Sequence, residues 1–282
     1  MTNKIYEVAG HRFSILGDAL CQAIEQIAGF VPFEVEDGEP LFTFAEGRDV
    51  PVMQDVLYEF QYEDVTGRFG RISQGFMLTL QPAHEEPLHL WHREGDGEVF
   101  LMGNLLTYLF RFALWVGLGL MVAPYNTVAL HSSCIVYQNK AVLFLGESGT
   151  GKSTHTRLWR EHIGGAFLLN DDSPFVRVEK GKVWVYGSPW SGKTPCYKQE
   201  RYELKGCVRL SQAPCNEIKK LSVLHAYGAI HPSCPPEFAY DASLYDHIGN
   251  FIGQLIATVP LYHLACLPNA EAAQLSCQTL FL

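Results

Sequence analysis

Residues 140–154 read KAVLFLGESGTGKST. A short, wholly apolar run meets a cluster of glycines, and a lysine and a serine follow at once. Such a run, bounded by turn residues, predicts a fully buried strand with a helix beginning just after the loop. The segment Gly146-Glu147-Ser148-Gly149-Thr150-Gly151-Lys152-Ser153 has the spacing G-x-x-x-x-G-K-[ST] in that strand–loop–helix setting. Each residue type has a physical task there. Glycines let the backbone curl until successive N–H groups face an anion, and the helix adds its positive end. Lys152 can reach terminal phosphates, and the Ser153 hydroxyl suits Mg²⁺. Gly146 through Ser153, with the adjoining Thr154, is therefore the expected phosphate-binding segment.

Working outward, TVALHSSCIVY (127–137) reads as a strand and Gln138-Asn139-Lys140 as a tight turn before the loop strand. Thr154 to His162 reads as the helix after the loop, and AFLLN (166–170) as another buried strand. That strand runs into Asn170-Asp171-Asp172, so two carboxylates emerge at its tip. Ligands of open α/β sheets bind at the carboxyl ends of strands. One aspartate is suited to hold Mg²⁺, and the other to accept a proton from an attacking hydroxyl. His131 lies on the strand before the loop strand, where a histidine is either a satisfied core residue or part of the site. A second glycine-rich, lysine-bearing stretch, GSPWSGK (187–193), follows a hairpin of PFVRVE and KVWVYG. It is either a segment that closes on phosphate through Lys193 or a surface turn.

The first hundred residues have a different grain. Short alternating or aromatic runs such as IYEVAG, VLYEFQYE, TGRFGRISQ, FMLTLQP and EVFLMG are separated by Gly, Pro and Asp. They predict an antiparallel β-rich unit with one helix around Asp18–Ile27. Gln81 to Asp96, polar and proline-bearing, reads as an exposed loop or hairpin. Beyond the central motif, NEIKKLSVLHAYGAI and YDHIGNFIGQLIATV read as helices, LYHLACL as a closing strand and EAAQLSCQTL as a final helix. The expected division is a β-rich domain over 1–102 and an α/β nucleotide-binding domain over 103–282.

Composition bounds the function. The chain has 282 residues, 48% of them hydrophobic and 12% aromatic, which excludes disorder. Lys+Arg 21 against Asp+Glu 30 gives a net charge of −9. Broad sequence-independent binding to nucleic acid runs on positive charge, so no nucleic-acid partner is expected. Eight cysteines occur without a C-x-x-C pair, and the N-terminus carries no apolar leader-like stretch. Reduced thiols and a cytoplasmic location are expected. His231 with Cys234, and the loose cluster His84, His89 and His92, have no second ligand pair and are not read as metal sites. Leu105–Ala123 is nearly long enough to span a bilayer. Arg111 inside it would cost roughly 3 kcal/mol in hydrocarbon. A buried core helix, not a membrane span, is expected.

The run ALHSSCIVYQNKAVLFLGESGTGKST, followed by FLLNDD, resembles the C-terminal catalytic domain of the HPr kinase/phosphorylase family. That family shares its nucleotide fold with phosphoenolpyruvate carboxykinases. The histidine strand, hairpin, GxSGxGKS loop and double aspartate stand in the family's order, from about Leu130 to Lys193. The resemblance implies a mixed-sheet α/β P-loop domain with ATP and Mg²⁺ as cofactors. It further implies triphosphate binding by Gly146–Ser153 with Lys193. Asp171 and Asp172 would supply a base and a metal contact, and His131 would sit beside the reacting phosphate. Lys152 and Ser153 would organise phosphates and metal. After Ser153 the chain departs from the family, with Thr154-His155-Thr156 where an acidic residue is usual. The expected activity is phosphoryl transfer to a hydroxyl, read as serine in a protein, peptide or small molecule. A nucleotide-responsive sensor and a carboxykinase-like enzyme are the alternatives, and a homo-oligomer stays among the expected assemblies.

Overall fold

The computed structural model describes residues 2–192 and 194–282, so Lys193 lies outside the described residues. The chain divides into two compact units. One takes the residues up to Pro124 together with Pro236–Tyr245, the other Tyr125–Pro235 and Asp246–Leu282.

In the first unit, β1 (Asn3–Val8) and β2 (His11–Leu16) form a hairpin, followed by α1 (Asp18–Glu25) and β3 (Glu34–Val35). Then come β4 (Phe42–Glu46), β5 (Asp55–Tyr62), β6 (Val65–Ile72), β7 (Gly75–Pro82), β8 (Leu88–Arg93), β9 (Glu98–Gly103) and α2 (Thr107–Val122). The strands make one sheet in the order β3-β1-β2-β4-β9-β8-β7-β6-β5. It is mixed rather than purely antiparallel, because β4 runs parallel to both β2 and β9. Strand β8 sits inside the stretch expected to be an exposed loop. Leu88, Leu90 and Trp91 turn inward, while His89 and His92 are only partly covered. That burial, with Leu90 and Trp91 covered on both faces, is hard to see among so many polar neighbours.

The apolar helix α2 belongs to this unit, so the boundary falls at Pro124/Tyr125 and not at Met102/Gly103. A Cβ on Gly117 would stand 2.6 Å from Phe44 and 2.9 Å from Leu90, so glycine permits the helix to lie close on the sheet. The stretch Thr107–Tyr125 is long and apolar enough to cross a membrane, and 61% of it is buried within the protein. It is packed as a core helix packs. Phe13, Phe42 and Phe44 fill the space around the sheet, with ring centroids 5.2–5.6 Å apart.

The second unit contains β10 (Thr127–Ala129), β11 (Ser132–Tyr137), β12 (Lys140–Leu145), α3 (Lys152–His162), β13 (Phe167–Asp172), β14 (Phe175–Glu179) and β15 (Lys182–Tyr186). It continues with β16 (Arg201–Gln212), β17 (Glu217–Lys220), α4 (Val223–Ile230), most of α5 (Ala242–Thr258), β18 (Leu261–Cys266) and α6 (Ala270–Phe281). EIKK (Glu217–Lys220) is strand β17, paired with β18, and not the start of a helix; only α4 is helical there.

The strand order is β10-β14-β15-β16-β12-β11-β13, with β18 parallel to β16. Consecutive strands β10 and β11 are thus five places apart, as are β13 and β14. In a flat sheet five spacings are ~24 Å. Three residue steps span at most ~11 Å, so the links at 130–131 and 173–174 require this sheet to curl its ends together. At these links the Leu130 N–H extends the β10–β14 ladder by donating to the Pro174 carbonyl at 3.0 Å, and Asp172 pairs with Ser191.

Helices α3 and α6 cover one face. Ile135, Phe144, Leu158, Trp159, Val208, Leu264 and Leu280 form the core between them and the sheet. His155 is part of this packing: it lies against Phe144, with its Nε2 3.1 Å from the Ser276 hydroxyl. Burial pushes its pKa down to about 4, so the imidazole is neutral. That is a structural use of a position where the sequence departs from the kinase pattern.

Candidate functional site

The loop after β12 is shaped by its glycines. Gly146, Gly149 and Gly151 have φ of 149°, 82° and 102°, conformations that L side chains rarely adopt. A Cβ on Gly146 would stand 2.5 Å from the Thr150 hydroxyl oxygen. That hydroxyl donates to the Glu147 carbonyl at 2.8 Å, and the Thr150 N–H reaches the same oxygen at 3.2 Å. Helix α3 then begins at Lys152 from Gly151, with no side-chain cap and no acidic residue in its first turn. Its first N–H groups are left to face a ligand, backed by the positive end of the helix.

The Lys152 ammonium folds over this loop, donating to the carbonyls of Gly146 at 2.7 Å and Glu147 at 3.1 Å. An ammonium has three donors, so one remains. Burial pushes the Lys152 pKa below the usual lysine value. Asp172 and Asp171 pull it back up, and Arg209 adds to the depression. Lys152 is therefore within electrostatic reach of both aspartates and of Arg209.

The register explains this gathering. Across the antiparallel ladder Ser132 faces Leu145 on one side and Asp172 on the other, while Ser133 faces Asp171. The loop's first residue and the aspartate pair thus lie two strand spacings apart, ~10 Å. On the opposite flank Arg209 of β16 stands beside Leu145. Its guanidinium donates to the Ala229 carbonyl at 3.1 Å and lies 3.7 Å from the Glu147 carboxylate.

The two aspartates differ. Asp171 is buried and accepts a hydrogen bond from the Ser133 hydroxyl. Asp172 is partly exposed, with Oδ1 3.4 Å from His131 Nδ1 and Oδ2 accepting from the Ser173 hydroxyl at 3.2 Å. His131 is not on a strand. It occupies the link between β10 and β11, where the sheet closes, its N–H donating to the Ser233 carbonyl at 2.7 Å. A break in the strand frees the imidazole to turn toward Asp172.

Buried Asn170 pins the turn beyond β13. Its side-chain oxygen accepts from the N–H groups of Asp172 and Ser173, both at 3.0 Å, and its amide donates to the Ser188 hydroxyl and the Trp190 carbonyl, both at 3.1 Å. The GSPWSGK stretch is consequently not a surface turn, since Ser188, Trp190 and Ser191 are buried against the carboxylate end of β13. Gly192 donates to the Asp171 carbonyl at 3.3 Å, and a Cβ there would sit 2.7 Å from that oxygen. The phosphate contact expected of Lys193 falls outside the described residues.

The structure therefore brings together Gly146–Thr154, Lys152, Asp171, Asp172 and His131. Sequence reasoning passed over Ser133, Asn170 and Arg209. The signal for each is a polar residue interrupting an apolar strand, as in SSCIV, LLND and CVRL.

Among the described residues no three His, Cys, Asp or Glu side chains converge as a metal cage. Mg²⁺ does not need one, being held by one or two carboxylates, water and substrate phosphates. The hard oxygen donors Ser153, Asp171 and Asp172 fit that pattern.

The chain matches no protein-family model and no curated protein. Among solved structures it is similar to the HPr(Ser) kinase/phosphatase from Coxiella burnetii. Identity is 14%, with 54% of this chain and 87% of that chain covered, at a TM-score of 0.32. That is a distant structural similarity, too loose to carry a functional argument.

Proposed function

We propose that the second unit is an ATP- and Mg²⁺-dependent phosphotransferase acting on a hydroxyl group, on a phosphoenolpyruvate carboxykinase-like P-loop fold. One observation carries the reading: an uncapped, glycine-shaped loop and a carboxylate–imidazole pair stand at the same end of one sheet, ~10 Å apart. The terminal phosphate of a donor cradled by Gly146–Ser153 would lie between them.

The amides of the loop and the remaining donor of Lys152 hold the β- and γ-phosphates. Ser153 and an aspartate would hold Mg²⁺, which would supply charge neutralisation for the phosphates. Asp172, the accessible carboxylate, takes the proton of the acceptor hydroxyl, with His131 fixing and polarising it. The acceptor oxygen forms its bond to the γ-phosphorus as the bond to the bridging oxygen breaks, and that electron pair leaves with the diphosphate. Asp171, held by Ser133, keeps the pair in position. The acceptor is a protein, peptide or small-molecule hydroxyl such as serine, in a cytoplasmic setting, with neither nucleic acid nor membrane as partner.

The test is a transfer screen of purified protein with ATP and Mg²⁺ against free serine, serine peptides and candidate proteins. Transfer by the wild type and none by Lys152→Ala supports the reading. Binding of ATP with no transfer to any acceptor would make the chain a nucleotide sensor instead.

A further inference from the structure

Two surface features stay uncovered in this chain, one in each unit, and their chemistry is complementary. In the first unit, where the link from β7 to β8 meets the end of β9, lies a groove of about 520 Å³. Val50, Pro87 and Met102 give it apolar walls, with Val50 36% and Met102 40% exposed. Glu85 and Glu86 line it as well, both exposed and, among the described residues, in no ion pair. His89 brings no charge, because burial pushes its pKa below the ordinary value. The backbone fixes this shape. The Asn104 N–H donates to the Pro87 carbonyl at 3.0 Å, a Cβ on Gly103 would stand 2.0 Å from that oxygen, and the Gln81 amide donates to the Glu85 carbonyl at 2.9 Å. Four cations of the unit, Lys4, Arg12, Arg68 and Arg71, pair with other carboxylates. The whole unit shares the imbalance. It carries 7 Lys and Arg against 20 Asp and Glu, a net −13, while the second unit carries 14 against 10, a net +4; together these are the 21 and 30 of the chain.

The second feature is KKLSVL (219–224) in the second unit. Val223 and Leu224 are 72% and 80% exposed, side by side at the start of α4, and Lys219 and Lys220 before them are exposed too. Lys219 pairs with Glu217 at 2.7 Å, an exposed pair of little worth, and Lys220 makes no ion pair among the described residues. This segment is held in place. The Leu221 N–H donates to the Leu261 carbonyl at 2.8 Å, and the Ser222 hydroxyl caps α4 by accepting from the His225 N–H. Single exposed aliphatic residues are ordinary, but an adjacent pair behind two lysines on a fixed helix start is a contact patch. We propose that the groove of one copy of this chain takes the KKLSVL segment of a second copy. Val223 and Leu224 enter between Val50, Pro87 and Met102, and Lys219 and Lys220 meet Glu86 and Glu85. The contact joins two different patches, so every copy carries both halves.

Sedimentation of the full chain at low salt, up to ~100 μM, tests this. The average mass of the wild type should rise with concentration. Glu85→Lys with Glu86→Lys, or Lys219→Glu with Lys220→Glu, should each weaken association by about tenfold or more. An equal mixture of those two variants should associate again, and all four substitutions in one chain should return it to within about threefold of wild type. Val223→Ser with Leu224→Ser should also cost about tenfold. Glu36→Lys with Asp37→Lys makes the same charge change beyond the edge strand β3 and should leave association within about twofold. A wild type that stays monomeric overturns the proposal. So does an equal loss in the Glu36 and Asp37 variant, which would make the effect one of net charge. Failure of the mixture and of the fourfold variant to associate shows that these patches do not meet, and that result overturns it as well.

Discussion

Both units of this chain bury carboxyl groups, among them Glu237 in the first and Asp171 in the second. Glu237 has one oxygen without a hydrogen-bond partner, and burial drives its pKa up to about 7. Asp171 accepts a hydrogen bond from the Ser133 hydroxyl, and beside it Asn170 ties Ser188 to the turn after β13. The surroundings match that contrast. Around the first sheet the core is phenylalanine on phenylalanine, while one end of the second sheet collects buried serines, an asparagine and an aspartate. Burying polar groups costs free energy unless they are paired, and the second sheet meets that cost by pairing its buried serines, asparagine and aspartate. An isolated buried acid is a local liability with a pH signature.

The sharpest way to break the comparison is at the second sheet. Lys152→Ala should lower phosphoryl transfer by about a thousandfold or more while thermal unfolding stays close to wild type. Asp172→Asn should cost ~10²–10³ in turnover with ATP affinity kept, measured by steady-state kinetics and titration. In the first sheet the expected loss is of stability. Phe13→Ala should destabilise that unit by about 3–5 kcal/mol in denaturant unfolding.

Glu237 adds a pH term of known sign. Its folded-state pKa is raised, so its contribution is fully present below about pH 4.5 and is lost as pH rises toward about 7. Between pH 4 and 8 the wild type should lose ~3 kcal/mol of stability that Glu237→Gln does not lose. The smallest effect is Ser133→Ala, which leaves Asp171 without its hydroxyl partner and should cost ~1–3 kcal/mol. A cost near zero there would mean that the network is not holding the aspartate.

The legible parts of the sequence were local. Glycine spacing, the lysine and the paired aspartates each act within a few residues, so the loop, α3 and the tip of β13 could be read directly. The long strand β16 could not, because Lys205, Arg209 and Gln212 break its apolar pattern. Yet β16 is the parallel neighbour of the loop strand and brings Arg209 to the site. The position of His131 was half legible: its nearness to Asp172 follows from the pairing of β11 with β13, a property of strand order and register and not of any window of residues. Strands β8 and β17 were hidden for the same reason as β16, polar residues alternating at half-buried positions.

The most direct test of the central claim follows label from the γ-phosphate of ATP into an acceptor hydroxyl, comparing wild type with Lys152→Ala and Asp172→Asn. Label should move with the wild type alone, while Asp172→Asn still binds ATP. Transfer at the wild-type rate by either variant would contradict the assignment of this site.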